Sequence, residues 1–198
     1  MNIFFMRHGE ATDNVKGLIS DKEIYWSILT DKGKIDVKNT LNNINSDIDI
    51  MYVSPFPRTI ETAYYVYKKF PNLEIIIDNR IREIYYGKYS HCKNNEELDN
   101  IRKKQIEGDY FIRFGDYGEN KYDIELRLCE FLKDIYESKK ENVLIISHGA
   151  VIAYIKRILE IKSVHIKKGK MERFDNIDFN ILFKHNEILE NIKENYKL

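Results

Sequence analysis

Residues 3–14 read IFFMRHGEATDN: four apolar side chains, then Arg7 and His8, then a break at Gly9. A short, near-continuous apolar run marks a central parallel strand covered on both faces. Such a strand gains nothing by ending in an arginine and a histidine unless something at its carboxyl end needs them. The same junction recurs twice. Residues 48–53 run into Ser54-Pro55-Phe56-Pro57-Arg58, and residues 143–147 run into His148-Gly149. A fourth apolar run lies at 73–77. A later one at 177–184, IDFNILFK, alternates as a strand nearer a sheet edge would.

Helical patterns fill the intervals. One spans 30–44, with Thr30 as its N-cap. A second, 57–70, opens on Pro57 and stops before Pro71. A third, 123–138, places Ile124, Leu128, Phe131, Leu132 and Ile135 on one stripe. A fourth covers 150–160. Strands alternating with helices predict a three-layer α/β/α sandwich around a mostly parallel sheet. The whole chain, 1–198, reads as a single domain without internal repeats or Gly/Ser linkers. Residues 85–118, rich in Tyr and Phe with one helical piece near 95–107, read as a lid or specificity insertion over the strand ends.

In open parallel sheets ligands bind beyond the carboxyl ends of the strands. If the strands at 2–6, 48–53 and 143–147 are neighbours, Arg7, His8, Arg58 and His148 meet at one rim. Two guanidiniums, two imidazoles and the start of a helix form an anion site, and Arg matches phosphate oxygens in a bidentate way that Lys cannot. Gly9 and Gly149 allow close backbone approach. Bulk charge adds nothing to this. Lys+Arg and Asp+Glu are both 32, so there is no global attraction to nucleic acid or anionic membranes. The apolar run at 3–6 is too short for a signal peptide, and no run approaches a membrane span. Cys92 and Cys129 lie far apart and read as free thiols of a reducing cytosol. A cytoplasmic protein is the expectation. No compact Asp/His cluster suggests a metal site, and no cofactor is expected.

RHGEATDN, SPFPRTIETA, IREIYYG and SHGAVI, in that order, resemble the four blocks of the histidine phosphatase superfamily. That group includes the cofactor-dependent phosphoglycerate mutases and many small phosphatases. The resemblance implies roles position by position. His8 is the nucleophile that becomes phosphohistidine. Arg7, Arg58 and His148, the last protonated, hold the phosphoryl group. Glu83 gives a proton to the leaving oxygen, and Asn14 also reaches the phosphate. Tyr86 and Gly149 complete the expected substrate-binding set. A hydrogen bond from the second ring nitrogen of His8 to backbone near Gly9 is expected to set its tautomer. Each residue also has a plainer use: a strand-end histidine for His8, a helix cap for His148, an ion pair with Glu61 for Arg58, a solvated turn for Glu83. Glu10 reads as a loop contact and Arg82 as a structural ion pair. His165 and His185, outside every block, read as surface or core histidines.

Departures from the family pattern fall on the substrate side. Mutases of this group carry an Arg-His pair after the acid, where this chain has Ile84-Tyr85, and the second Gly of the small phosphatases is replaced by His91. A Gly frequent near position 21 is absent. The favoured reading is a phosphomonoesterase acting on a small phosphorylated metabolite through a phosphohistidine on His8. The alternatives are a 2,3-bisphosphoglycerate-dependent phosphoglycerate mutase and a non-catalytic phospholigand-binding module. A homodimer is left open.

Overall fold

The computed structural model describes residues 1–21, 27–44, 47–162 and 165–196. Among these, the chain runs β1 (Asn2–Arg7), α1 (Thr12–Lys16), α2 (Asp31–Asn42), β2 (Ile50–Val53), α3 (Pro57–Lys69), β3 (Glu74–Ile77), α4 (Glu96–Ile106), α5 (Lys121–Glu137), β4 (Asn142–Ser147), α6 (Gly149–Ile158), β5 (Met171–Phe174) and α7 (Asn180–Tyr196). The strands form one sheet in the order β3-β2-β4-β1-β5. β1, β2, β3 and β4 are parallel, and β5 runs antiparallel to β1. This is the mostly parallel α/β sheet expected from the sequence. β4 lies between β1 and β2, so the three strands that end in cationic residues are neighbours.

The pleat sorts side chains into two layers. Phe4, Met6, Met51, Val53, Leu144 and Ile146 face Val37, Leu41, Ala63 and Val66 of α2 and α3. Ile3, Phe5, Ile50, Tyr52, Val143 and Ile145 face α5, α6 and α7. Each fully buried side chain of this size contributes about 1.5–3 kcal/mol of transfer free energy. The α5 stripe is as predicted: Ile124, Leu128, Phe131, Leu132 and Ile135 are all fully buried. Its start lies slightly earlier, because Asn120 caps the Asp123 amide while the Asp123 carboxylate takes the Asn120 N–H. Thr30 caps α2 through Gly33 N at 3.0 Å, and Pro57 opens α3.

Two readings of the sequence fail. The run at 177–184 is not a strand: its second half opens α7, whose buried Leu182 and Leu189 follow helical spacing from Phe179. The edge strand is instead Met171–Phe174, whose inner residues are charged. Glu172 pairs with Lys156 at 2.7 Å and Arg173 with Asp175 at 2.6 Å, so no apolar pattern betrays it. β3 is also an edge, not a covered central strand. It leaves Ile75 39% and Ile77 61% exposed, since it has a partner on one side only.

Residues 85–118 fold back on the end of the sheet. Tyr86, Tyr89, Leu98 and Phe114 are buried, and the Tyr86 and Phe114 rings lie 4.7 Å apart. Three of the segment's seven Tyr and Phe side chains, Tyr86, Tyr89 and Phe114, thus join the core on this side of the sheet. The segment is tied to the loop before α2: Ile19 N donates to Cys92 O, His91 N donates to Ile19 O, and Ser90 Oγ donates to Asp21 Oδ2 at 2.7 Å.

Candidate active site

His8 follows directly from β1, and its N–H donates to Ser147 O, so the end of β1 is pinned to the end of β4. α2 closes over the loop beyond. A side chain at Gly33 would place its Cβ 2.1 Å from Glu10 O, so only glycine lets the helix meet this backbone. The His8 ring is buried. Its Nδ1 lies 2.7 Å from Gly9 O. A carbonyl only accepts, so Nδ1 carries the proton and Nε2 keeps its lone pair. Arg58 Nε donates toward that lone pair at 3.3 Å. Burial, then the Arg58 charge, hold His8 well below the usual imidazole range.

Arg58 is the second residue of α3, and only 2% of it is exposed. Burying a guanidinium is costly unless its donors are satisfied. Here Nη2 donates to Ser20 O at 2.7 Å and to His148 Nδ1 at 3.1 Å, while Nη1 reaches Ser20 Oγ and Ser27 Oγ. Glu61, the competing partner suggested by sequence, instead accepts from Leu29 N. Asp13 Oδ1 accepts from Ser27 Oγ at 2.7 Å, so negative charge stands one hydroxyl behind the arginine.

His148 stands at the N-cap position of α6, where its side chain makes no capping bond, and is fully buried. Its Nδ1 must accept from Arg58, so the neutral ring carries its proton on Nε2 and donates it to Ser54 Oγ at 2.7 Å. The protonated His148 expected at the phosphate is not the form that these hydrogen bonds favour. Burial, Arg58 and His8 push its pKa well down, and the protein's own groups hold it neutral. The His8 and His148 rings lie 5.2 Å apart, tilted by 60°.

Glu83 approaches from the other side, with Oε2 3.7 Å from His148 Nδ1 and Oε1 accepting from Ile84 N at 3.0 Å. Burial raises its pKa from the ordinary carboxylate value, against the opposing pull of Arg58, the Ile84 N–H and Arg7. Arg7 lies across the start of α6. A Cβ on Gly149 would sit 3.0 Å from Arg7 Cζ, so this glycine makes room for the guanidinium. Asn14 is committed to the first turn of α1: its Oδ1 accepts from Ala11 N, and its Nδ2 donates to Asp13 Oδ2. Tyr86 is buried, with the Arg102 guanidinium 5.3 Å over its ring.

Arg7, His8, Arg58, Glu83, His148 and Gly149 thus converge at the carboxyl ends of β1, β2 and β4. Glu10 makes the loop contact expected of it, through Thr30 Oγ1 at 3.0 Å. Arg82 pairs with Glu119 at 3.0 Å. The sequence did not point to Ser20, Ser27, Ser54 or Asp13, since isolated polar residues in loops carry no periodic signal. Nor did it place His165, whose Nε2 lies 2.6 Å from Arg7 Nη1. Among the described residues no group of three or more His, Cys, Asp or Glu side chains is placed to hold a metal ion. Among the same residues no helix is long and apolar enough to cross a membrane.

Residues 3–187 match the model of the histidine phosphatase superfamily (branch 1). A 2,3-bisphosphoglycerate-dependent phosphoglycerate mutase of Thermoplasma acidophilum is 35% identical over 104 residues, 52% of this chain and 51% of that protein. The match thus spans about half of the mutase's length. A protein of Hydrogenobacter thermophilus, provisionally named phosphoserine phosphatase 2, is 25% identical over 159 residues, 76% of this chain and 74% of that one. In shape, the chain is similar to the alpha-ribazole phosphatase of Shigella flexneri, with a TM-score of 0.72 and 22% identity over 88% of this chain and 90% of that one. With the rim of two arginines, two histidines and an acid assembled, and the family model matching nearly the whole length, the chain belongs to the histidine phosphatase superfamily, whose members here are phosphatases and mutases.

Proposed function

We propose that this protein hydrolyses a small phosphomonoester through a phosphohistidine on His8. The observation that carries the reading is the state of the His8 ring: Nδ1–H donates to Gly9 O, and the Nε2 lone pair points toward Arg58. A neutral, desolvated imidazole with one committed nitrogen is a nucleophile already in its reactive tautomer. Phosphoryl transfer passes through a loose transition state whose charge spreads over the equatorial oxygens, so positioned cations supply most of the catalysis. Arg7 and Arg58 are those cations. His148 joins them as a donor once the bound dianion offsets the neighbouring positive charge and lets Nδ1 take a proton.

In the first step His8 Nε2 forms a bond to phosphorus, the bond from phosphorus to the alcohol oxygen breaks, and Glu83 gives that oxygen its proton. In the second step Glu83 takes a proton from water, the water oxygen bonds to phosphorus, and the N–P bond breaks to release inorganic phosphate. The raised pKa of Glu83 suits this, because a general acid must hold its proton until the leaving group needs it. Chain 1–198 acts in this reading as one unit, with 85–118 as the lid that selects the alcohol.

A mutase reading draws on the Thermoplasma relative. Against it stands Ile84, which is 2% exposed and packs in the core where mutases of this group carry a cation. The test is release of phosphate from an aryl phosphate, with and without chelator, by wild type and His8→Ala. Labelled phosphate should remain on the wild type in an acid-labile, base-stable form. An active His8→Ala protein removes the nucleophile assignment. Interconversion of phosphoglycerates on addition of catalytic bisphosphoglycerate decides for the mutase.

A further inference from the structure

We infer that His165, on the segment between α6 and β5, is a positioning residue that aims the Arg7 guanidinium at the phosphoryl group. The inference rests on the reading of this rim as a phosphate site. Arg7 Nη1 donates twice, to His165 Nε2 at 2.6 Å and to Ile166 O at 3.2 Å. Arg7 Nε is buried and bonds nothing among the described residues. The Nη1 corner is therefore held by protein, and Nε, beside Gly149, is a donor still to be paired. Together with Nη2 it forms the edge of the guanidinium whose two parallel N–H groups match two oxygens of one phosphate.

A guanidinium has no acceptor, so His165 Nε2 must be unprotonated. The surroundings agree. Burial, Arg7 on β1 and Lys156 on α6 lower the His165 pKa, and Glu172 on β5 opposes them without prevailing. The start of α6 closes the other side. A Cβ on Gly149 would sit 2.8 Å from His165 Cε1 and 3.1 Å from Arg7 Nε. Arginine, histidine and glycine thus touch one another, with His165 itself exposed to solvent beyond this contact. Without the imidazole, Nη1 keeps only the longer bond to a carbonyl, and the fork is free to rotate off the phosphate.

The experiment is a double-mutant cycle read in two ways: kcat/KM for an aryl phosphate, and calorimetric binding of inorganic phosphate. His165→Ala is expected to lose about tenfold in both, the scale of one hydrogen bond to a charged group. His165→Gln recovers most of the loss, because its Oε1 accepts from Nη1. His165→Lys, which fills the space but brings only donors, loses at least as much as alanine and serves as the second variant. In an Arg7→Ala background, His165→Ala changes neither quantity. A loss of equal size in that background overturns the assignment, as does a His165→Ala protein with wild-type values or a glutamine no better than alanine. Wild-type protein that binds phosphate without turnover defeats the hydrolase reading alone, and the cycle then decides His165 on binding. Wild type that binds no phosphate overturns both.

Discussion

The two buried imidazoles make a thermodynamic prediction that does not require turnover. His8 and His148 are both held neutral, first by burial and then by Arg58. In the unfolded chain each titrates near its ordinary value of about 6.5. A group whose folded pKa is depressed this way binds fewer protons when folded. Stability is then complete above the unfolded pKa and falls as pH drops through it, until the folded value is reached. Between about pH 7.5 and about pH 5.5 the unfolded chain takes up nearly one proton per imidazole, which costs the native state about 1.4 kcal/mol each, or about 3 kcal/mol for the pair. Other groups also titrate over this range, and Glu83 shifts the opposite way, so the comparison must cancel them. The variant His8→Asn/His148→Gln keeps a donor toward Gly9 O and one toward Ser54 Oγ but has nothing to protonate. Urea unfolding of both proteins at the two pH values gives the difference directly. Wild type should lose about 3 kcal/mol more than the variant on acidification. Parallel losses would mean that the imidazoles titrate normally inside the fold, and the argument for a neutral His8 nucleophile would go with them.

Other outcomes follow from the same geometry. Glu83→Gln should slow alkyl phosphates far more than aryl phosphates with good leaving groups. Because the folded pKa of Glu83 is raised, wild-type kcat/KM should fall as pH climbs through it, and the glutamine variant should lack that limb; equal losses on both substrates would count against proton donation. Arg58→Lys keeps the charge but cannot serve His8, His148 and Ser20 together, and should cost about a hundredfold in kcat/KM, measured beside circular dichroism to confirm folding. Gly149→Ala forces a methyl against Arg7 Cζ at 3.0 Å and should weaken competitive inhibition by inorganic phosphate, whereas an unchanged inhibition constant would show that Arg7 yields freely.

What the sequence by itself determined is the three neighbouring strands β1, β2 and β4 and the cationic residues that follow them. Three apolar runs that end in Arg7-His8, in the turn to Arg58 and in His148 state both the strand and its cationic end, because buried strands and helix starts impose local patterns. Thr30, Pro57 and the α5 stripe were legible for the same reason. Tertiary structure alone decided the rest. β5 is held by its pairing to β1 and by ion pairs of Glu172 and Arg173, and pairing partners leave no mark in a four-residue stretch. The protonation states of His8 and His148 depend on burial and on one arginine that contacts both. His165 meets Arg7 from 158 positions away. Contacts of that kind are set by the packing of whole elements, and the spacing of residues along a chain does not encode them.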